Sequence, residues 1–183
     1  MNAGAAIRVV RDPRTRWAAP VAAALAVVTF VHLGPSADAA VWALAQVVLV
    51  ALTAIDAATR RLPNVITLPT AAVAVVLRLL FERHYLVEVL VAGSVSFVIC
   101  YVVALALRGG IGMGDVKLAG MLGFVLGYAV VPALVVGVFA GGVWSLGLIV
   151  TRKATLRSSI AYGPFLALGG MAAILFSSPP PLV

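Results

Sequence analysis

Asp56 and Asp115 are the residues of this chain whose type and setting point to chemistry. Only 6 of its 183 residues are Asp or Glu. Both acids border long apolar runs, Asp56 in Ala54-Ile55-Asp56-Ala57-Ala58 and Asp115 in Gly112-Met113-Gly114-Asp115-Val116-Lys117. A carboxylate at the edge of a bilayer is costly to desolvate, so one placed there is functional by default. Asp115 also follows Gly109, Gly110, Gly112 and Gly114, a turn in which backbone can approach a substrate with no side chain in the way. Irregular backbone at membrane depth persists only where it is buried in protein or lines a wet cavity. Two such acids suit the hydrolysis of a peptide bond by a water activated between them. Close carboxylates do not both ionise readily, so one keeps a proton. The ionised acid can then act as general base on the water while the protonated one polarises the scissile carbonyl. No metal or organic cofactor is needed for this.

The elements that must position the acids follow from composition. The chain is 63% hydrophobic and 10% charged, with a mean hydropathy of +1.16, against about 25% charged residues in a soluble domain. Its apolar runs reach the roughly 17 to 25 residues that cross hydrocarbon as helices, and the period-two alternation of a membrane barrel is absent. The expected fold is an all-α, polytopic membrane bundle of about seven spans: 17–33, 39–55, 62–81, 85–107, 116–131, 132–150 and 160–176. The expected organisation is a basic tail over 1–16, a first span over 17–34, a main membrane domain over 35–177 and a short tail over 178–183.

The net charge of +7 points to topology and anionic lipid rather than to nucleic acid, because the basic residues sit between apolar runs. With the N-terminus in the cytoplasm, all of the 13 Lys and Arg except Arg78 and Arg83 fall on the inner side, which favours seven spans over six. Asp56 then ends the second span and Asp115 begins the fifth, both at the cytoplasmic face, so they can meet. A helix N-terminus suits an anion and a C-terminus does not, which makes Asp115 the expected base and Asp56 the expected holder of the proton.

Other features read more plainly. Asp56 and Arg60 could form an i, i+4 ion pair. Pro63 can open the third span, because the first helical position needs no N–H. Gly123 with Gly127 and Gly137 with Gly141 are small-xxx-small pairs suited to close helix packing. Neither a dinucleotide fingerprint nor a P-loop surrounds the glycines before Asp115. Cys100 is the lone cysteine, lies in an apolar run and excludes an internal disulfide or a Cys-x-x-Cys zinc site. The arginine-rich start with Ala37-Asp38-Ala39 is similar to a secretory signal and its cleavage site; its apolar run is long for one, so we read a retained anchor.

Asp56, Arg60, Pro63-Asn64 and the run Gly112-Met113-Gly114-Asp115-Val116-Lys117-Leu118 together resemble the two signatures of the type IV prepilin peptidases, GxGD-type aspartic proteases of membranes that include the archaeal preflagellin peptidases. The 59-residue separation of the acids and the later Ile160-Ala161-Tyr162-Gly163-Pro164-Phe165 are similar to that family as well. The resemblance implies Asp56 and Asp115 as the catalytic pair and Gly112, Met113 and Gly114 as the active-site loop. It implies supporting roles for Arg60, Pro63, Asn64, Lys117, Gly163 and Pro164. It also implies cleavage of a short basic leader from a pilin-like precursor, after a glycine and on the cytoplasmic side of the inner membrane, with the pilus assembly machinery as a further partner. The longer members carry an N-terminal cytoplasmic segment with paired cysteines associated with N-methylation. This chain resembles the short, cleavage-only members, such as those serving tight-adherence pili, and its first span is additional to their six-helix core.

Two other classes use the same acids. A proton- or cation-coupled carrier would employ them as relay groups, although no inverted repeat supports it. A metal-dependent phosphotransferase would want more carboxylates than two, and an assembly scaffold would leave them structural. The sequence names neither the substrate nor the oligomeric state.

Overall fold

Hydrophobic runs of this length in a chain with so few charges have one way to satisfy their backbone, which is the helix. The computed structural model describes residues 4, 12, 15–34, 37–106, 112–152 and 162–176, and seven apolar α-helices lie among them. They are α1 (Ala18–Leu33), α2 (Ala37–Thr59), α3 (Asn64–Phe81), α4 (Leu86–Ala106), α5 (Met113–Leu126), α6 (Val130–Val150) and α7 (Gly163–Phe176). Each matches one expected span to within a few residues. Four apolar stretches are long enough to cross a bilayer: Ala39–Thr59, Asn64–Phe81, Arg83–Ala106 and Met113–Val150. The chain is thus an all-α, polytopic membrane bundle. Arg8, Arg11, Arg14, Arg108, Lys153 and Arg157, the glycines at 109 and 110, and both expected tails apart from positions 4, 12, 15 and 16 lie outside the described residues.

The stretch from Met113 to Val150 reverses direction midway. α5 runs antiparallel to α4, with Gly120 against Phe97 and Gly123 against Gly93. α6 runs antiparallel to α7, with Gly137 against Leu166 and Gly141 against Tyr162. α5 and α7 run the same way, since Gly114 and Gly163 share Leu62 near their starts while Leu122 meets Gly170 further on. α6 must therefore oppose α5. The reversal falls at a 3₁₀ turn, Gly127–Ala129, where Gly127 adopts φ +59°, a conformation that favours glycine. Glu88 of α4 steadies it by accepting a 2.9 Å hydrogen bond from the Tyr128 N–H.

The core sits where α2, α5 and α7 meet, around Leu49, Leu52, Leu118, Leu122 and Ile174. Close approach at Gly123, Gly137 and Gly169 brings helices together over backbone, the packing expected of small residues in a membrane. Gln46, fully buried in α2, donates from Nε2 to the Met171 carbonyl of α7 at 3.3 Å. Arg78, an expected exception to the inner-side charges, is buried beside Glu82 one turn on and forms an ion pair with it. α1 packs on α2.

Among the helix ends that differ from expectation, the end of α2 and the start of α5 bear on the acids. α2 continues past Ile55 to Thr59, so Asp56 lies inside its last turn. The helix stops because Arg60 takes φ +52°, the left-handed geometry of a helix C-terminus, while its N–H donates to the Asp56 carbonyl at 2.7 Å. α5 begins at Met113, three residues before the expected start, so Asp115 lies within its first turn. Pro63 sits at the N-cap position of α3 rather than at the first helical residue.

Candidate active site

Asp56 is 4% exposed, and its Oδ2 has no hydrogen-bond partner among the described residues. A buried carboxylate oxygen without a partner is costly in a folded chain. The i, i+4 ion pair open to Arg60 is not formed: Arg60 is exposed, and its left-handed backbone carries the chain away from the α2 axis. No ion pair joins it to Asp56 among the described residues.

Asp115 is the third residue of α5. This is the position from which an acid can reach back toward the free N-terminal donors of a helix, as in a capping box. The carboxylate folds back over the cap, so that a Cβ on Gly112 would stand 3.4 Å from Oδ2. The two acids are near enough to feel each other's charge. Residues 59 positions apart, on different helices, thus meet at the same end of the bundle.

Two glycines allow this meeting. A Cβ on Gly163, at the start of α7, would lie 2.6 Å from Asp56 Oδ2. One on Gly114 would lie 3.1 Å from the Leu62 Cβ. Leu62, in the short link between α2 and α3, is wedged between the starts of α5 and α7 beside both acids. Sequence reasoning missed it, since an apolar residue next to a proline carries no chemical signal. Gly112 differs from Gly114: its φ of −73° suits any residue, and the only close neighbours of an added Cβ belong to its own turn. Gly114→Val is therefore expected to lower turnover about tenfold or more, by pushing α5 off Leu62, whereas Gly112→Ala stays within about threefold; steady-state kinetics on purified variants decide it. Equal losses at the two positions would mean that the turn acts through its conformation and not through packing.

The remaining expected residues are scattered around this centre. Lys117 Nζ donates to Asn64 Oδ1 at 3.1 Å, tying the start of α3 to α5 one turn from Asp115. Pro63 is buried behind this link, and Pro164 occupies the first turn of α7, where its missing N–H costs nothing. Met113 is 49% exposed at the mouth. Gly109 and Gly110, with Ile160 and Ala161 of the third motif, lie outside the described residues. Cys100, which the sequence placed in an apolar run without a partner cysteine, joins Asp115 and Tyr162 in lining a cavity of about 560 Å³.

The acids are recessed. Tyr162, beside Gly163, is level with Gly141 of α6, yet α6 continues nine residues further to Val150, about 14 Å at 1.5 Å per residue.

A multi-pass helical membrane protein with two acids converging from separate helices is the class that fold and site define. Residues 43–146 match the type IV leader peptidase family, more than half of the 183 residues. The chain belongs to that family and is a leader-peptidase-type protease of the membrane. Asp56 and Asp115 lie within the matched segment, whereas α1 and Gly163 lie outside it. No match was found among curated proteins or among solved structures.

Proposed function

We propose that this peptidase is an aspartic endopeptidase that removes the short basic leader from pilin-like precursors at the cytoplasmic face of the inner membrane, with Asp56 and Asp115 activating the water. The observation that carries the reading is the meeting of the two acids at one end of the bundle, with one oxygen of Asp56 buried and without a hydrogen-bond partner among the described residues. Its place in the first turn of α5, with the carboxylate turned back over the Gly112 cap, suits Asp115 to the role of base. Asp56, in the last turn of α2, is suited to donate a proton to the scissile carbonyl. Water attacks the carbonyl carbon as Asp115 takes its proton and Asp56 protonates the carbonyl oxygen; collapse of the tetrahedral adduct returns that proton to Asp56 and breaks the C–N bond, and the departing amine takes the proton held by Asp115.

Arg60, Arg61 and Lys117 belong to topology and structure in this reading rather than to the leader, which is itself basic. Lys117 is already engaged with Asn64, and Arg61 is exposed toward the headgroup level.

Co-expression with a pilin-like precursor, in a host lacking its own leader peptidase, tests the proposal. The expected result is a shorter product whose new N-terminus follows the glycine. A precursor of unchanged mass, with this chain properly inserted, would overturn it, and is what a carrier would give.

A further inference from the structure

We infer that the lipid-open groove between α4 and α6 receives the apolar helix of the precursor, with the first two turns after the cut lying along it and the scissile bond at Asp115. This rests on the function proposed above and adds where the substrate is held. α4 and α6 stand apart because each packs on a different neighbour, α4 on α5 and α6 on α7. The space between them is the cavity of about 560 Å³, walled by Val103 of α4 and Leu134 and Val138 of α6 and floored by Leu166, with Asp115 and Tyr162 at one end.

Its direction identifies the occupant. The Gly141–Tyr162 contact marks the level of the acids on α6, and the groove extends from there along α6 as far as Leu134. Seven residues at 1.5 Å each give about 10 Å, or two helical turns. The extension runs away from the end of the bundle that carries the acids. A precursor cut at its cytoplasmic end, and held in the bilayer by the helix that follows, sends that helix the same way. An aliphatic groove open to lipid gives an apolar helix contacts with no desolvation cost, since association in a membrane relies on packing. A second lipid-open groove between α2 and α3, about 210 Å³ and lined by Val41, Val73 and Leu77, has no acid on its walls. It offers the same apolar chemistry, and beyond Leu77 it leads to Glu82, paired with Arg78, and to neither Asp56 nor Asp115, so it serves as the control.

Two measurements test the inference. Val138→Trp fills the groove, and it should lower kcat/KM for the membrane-embedded precursor at least tenfold relative to kcat/KM for a short soluble peptide spanning the same bond. Val73→Trp should leave that ratio within twofold of wild type. An unchanged ratio in Val138→Trp, or an equal change in both variants, would overturn the groove as the docking site. In the second experiment the natural Cys100 is the probe. An Asp56→Asn chain, which holds the precursor uncut, is oxidised with precursors bearing single cysteines through the first eight residues after the cut. Disulfides should form on one face at i, i+3 and i+4 spacing and be lost in Val138→Trp. Cross-links absent, or equal at every position, would mean that lipid fills the groove. If wild type fails to cut the precursor at all, the proposed function falls first, and the groove experiment is not what removed it.

Discussion

Asn in place of either Asp56 or Asp115 is expected to stop leader cleavage, with kcat falling by about 10³-fold or more for each single change. General acid–base catalysis by a positioned group contributes about 10²- to 10⁴-fold, and in the proposed mechanism neither acid can stand in for the other because each has a separate role. The changes are nearly isosteric, so insertion and helix packing should persist. Asp56→Asn should leave stability unchanged or raised, since it removes a buried carboxylate whose Oδ2 has no partner among the described residues and functional acids are commonly held at a cost to the fold. Cleavage assays on purified variants, with thermal unfolding in the same detergent, read both outcomes. Retention of more than about a tenth of wild-type turnover by either variant would take the acid pair out of the chemistry.

Gly163→Val is expected to cost nearly as much, about 100-fold in kcat/KM, although it leaves both acids in the chain. Its first side-chain atom would stand 2.6 Å from Asp56 Oδ2 and 3.2 Å from the Leu62 Cδ1. Something must shift, and the side chain able to move is the Asp56 carboxylate. A displacement of about 1 Å in a reacting group is enough for a 10²-fold loss. Gly142→Ala in α6 is the matched control, with nothing within 4 Å of the added atom, and should be silent. A fully active Gly163→Val enzyme would show that Asp56 acts from a different position than the one it occupies beside α7.

Much of this arrangement was legible in the chain, for physical reasons that differ by residue. Hydrophobic runs gave the seven helices because backbone in a bilayer has no alternative to hydrogen bonding to itself. The two acids stood out because charge is so rare here. The fold-back at Gly127–Ala129 was harder to read: the apolar run from α5 into α6 is unbroken by any charge, and the reversal depends on one glycine at positive φ and on Glu88, 40 residues away. The Arg60 conformation was opaque, since nothing in the side chain announces a left-handed backbone. Propensity favoured the ion pair with Asp56; the geometry of the helix end prevented it. Leu62 and Cys100 acquire meaning only through what lies beside them, Leu62 between the starts of α5 and α7 and Cys100 within range of Asp115's charge. An isolated sequence position does not carry that information.

The length of α5 bears on how a hydrolase of the proposed kind works below the headgroups. It has 14 residues between Gly112 and Gly127, about 21 Å of helix, whereas the hydrocarbon layer is about 30 Å thick. The helix that opens at Asp115 is therefore about 9 Å shorter than that layer, while α6 has 21 residues. Such a mismatch is met by thinning the layer locally, which would let the aqueous boundary dip inward over α5. Water, the second substrate of the proposed hydrolysis, would in this way be brought to the acids without the acids leaving the bundle.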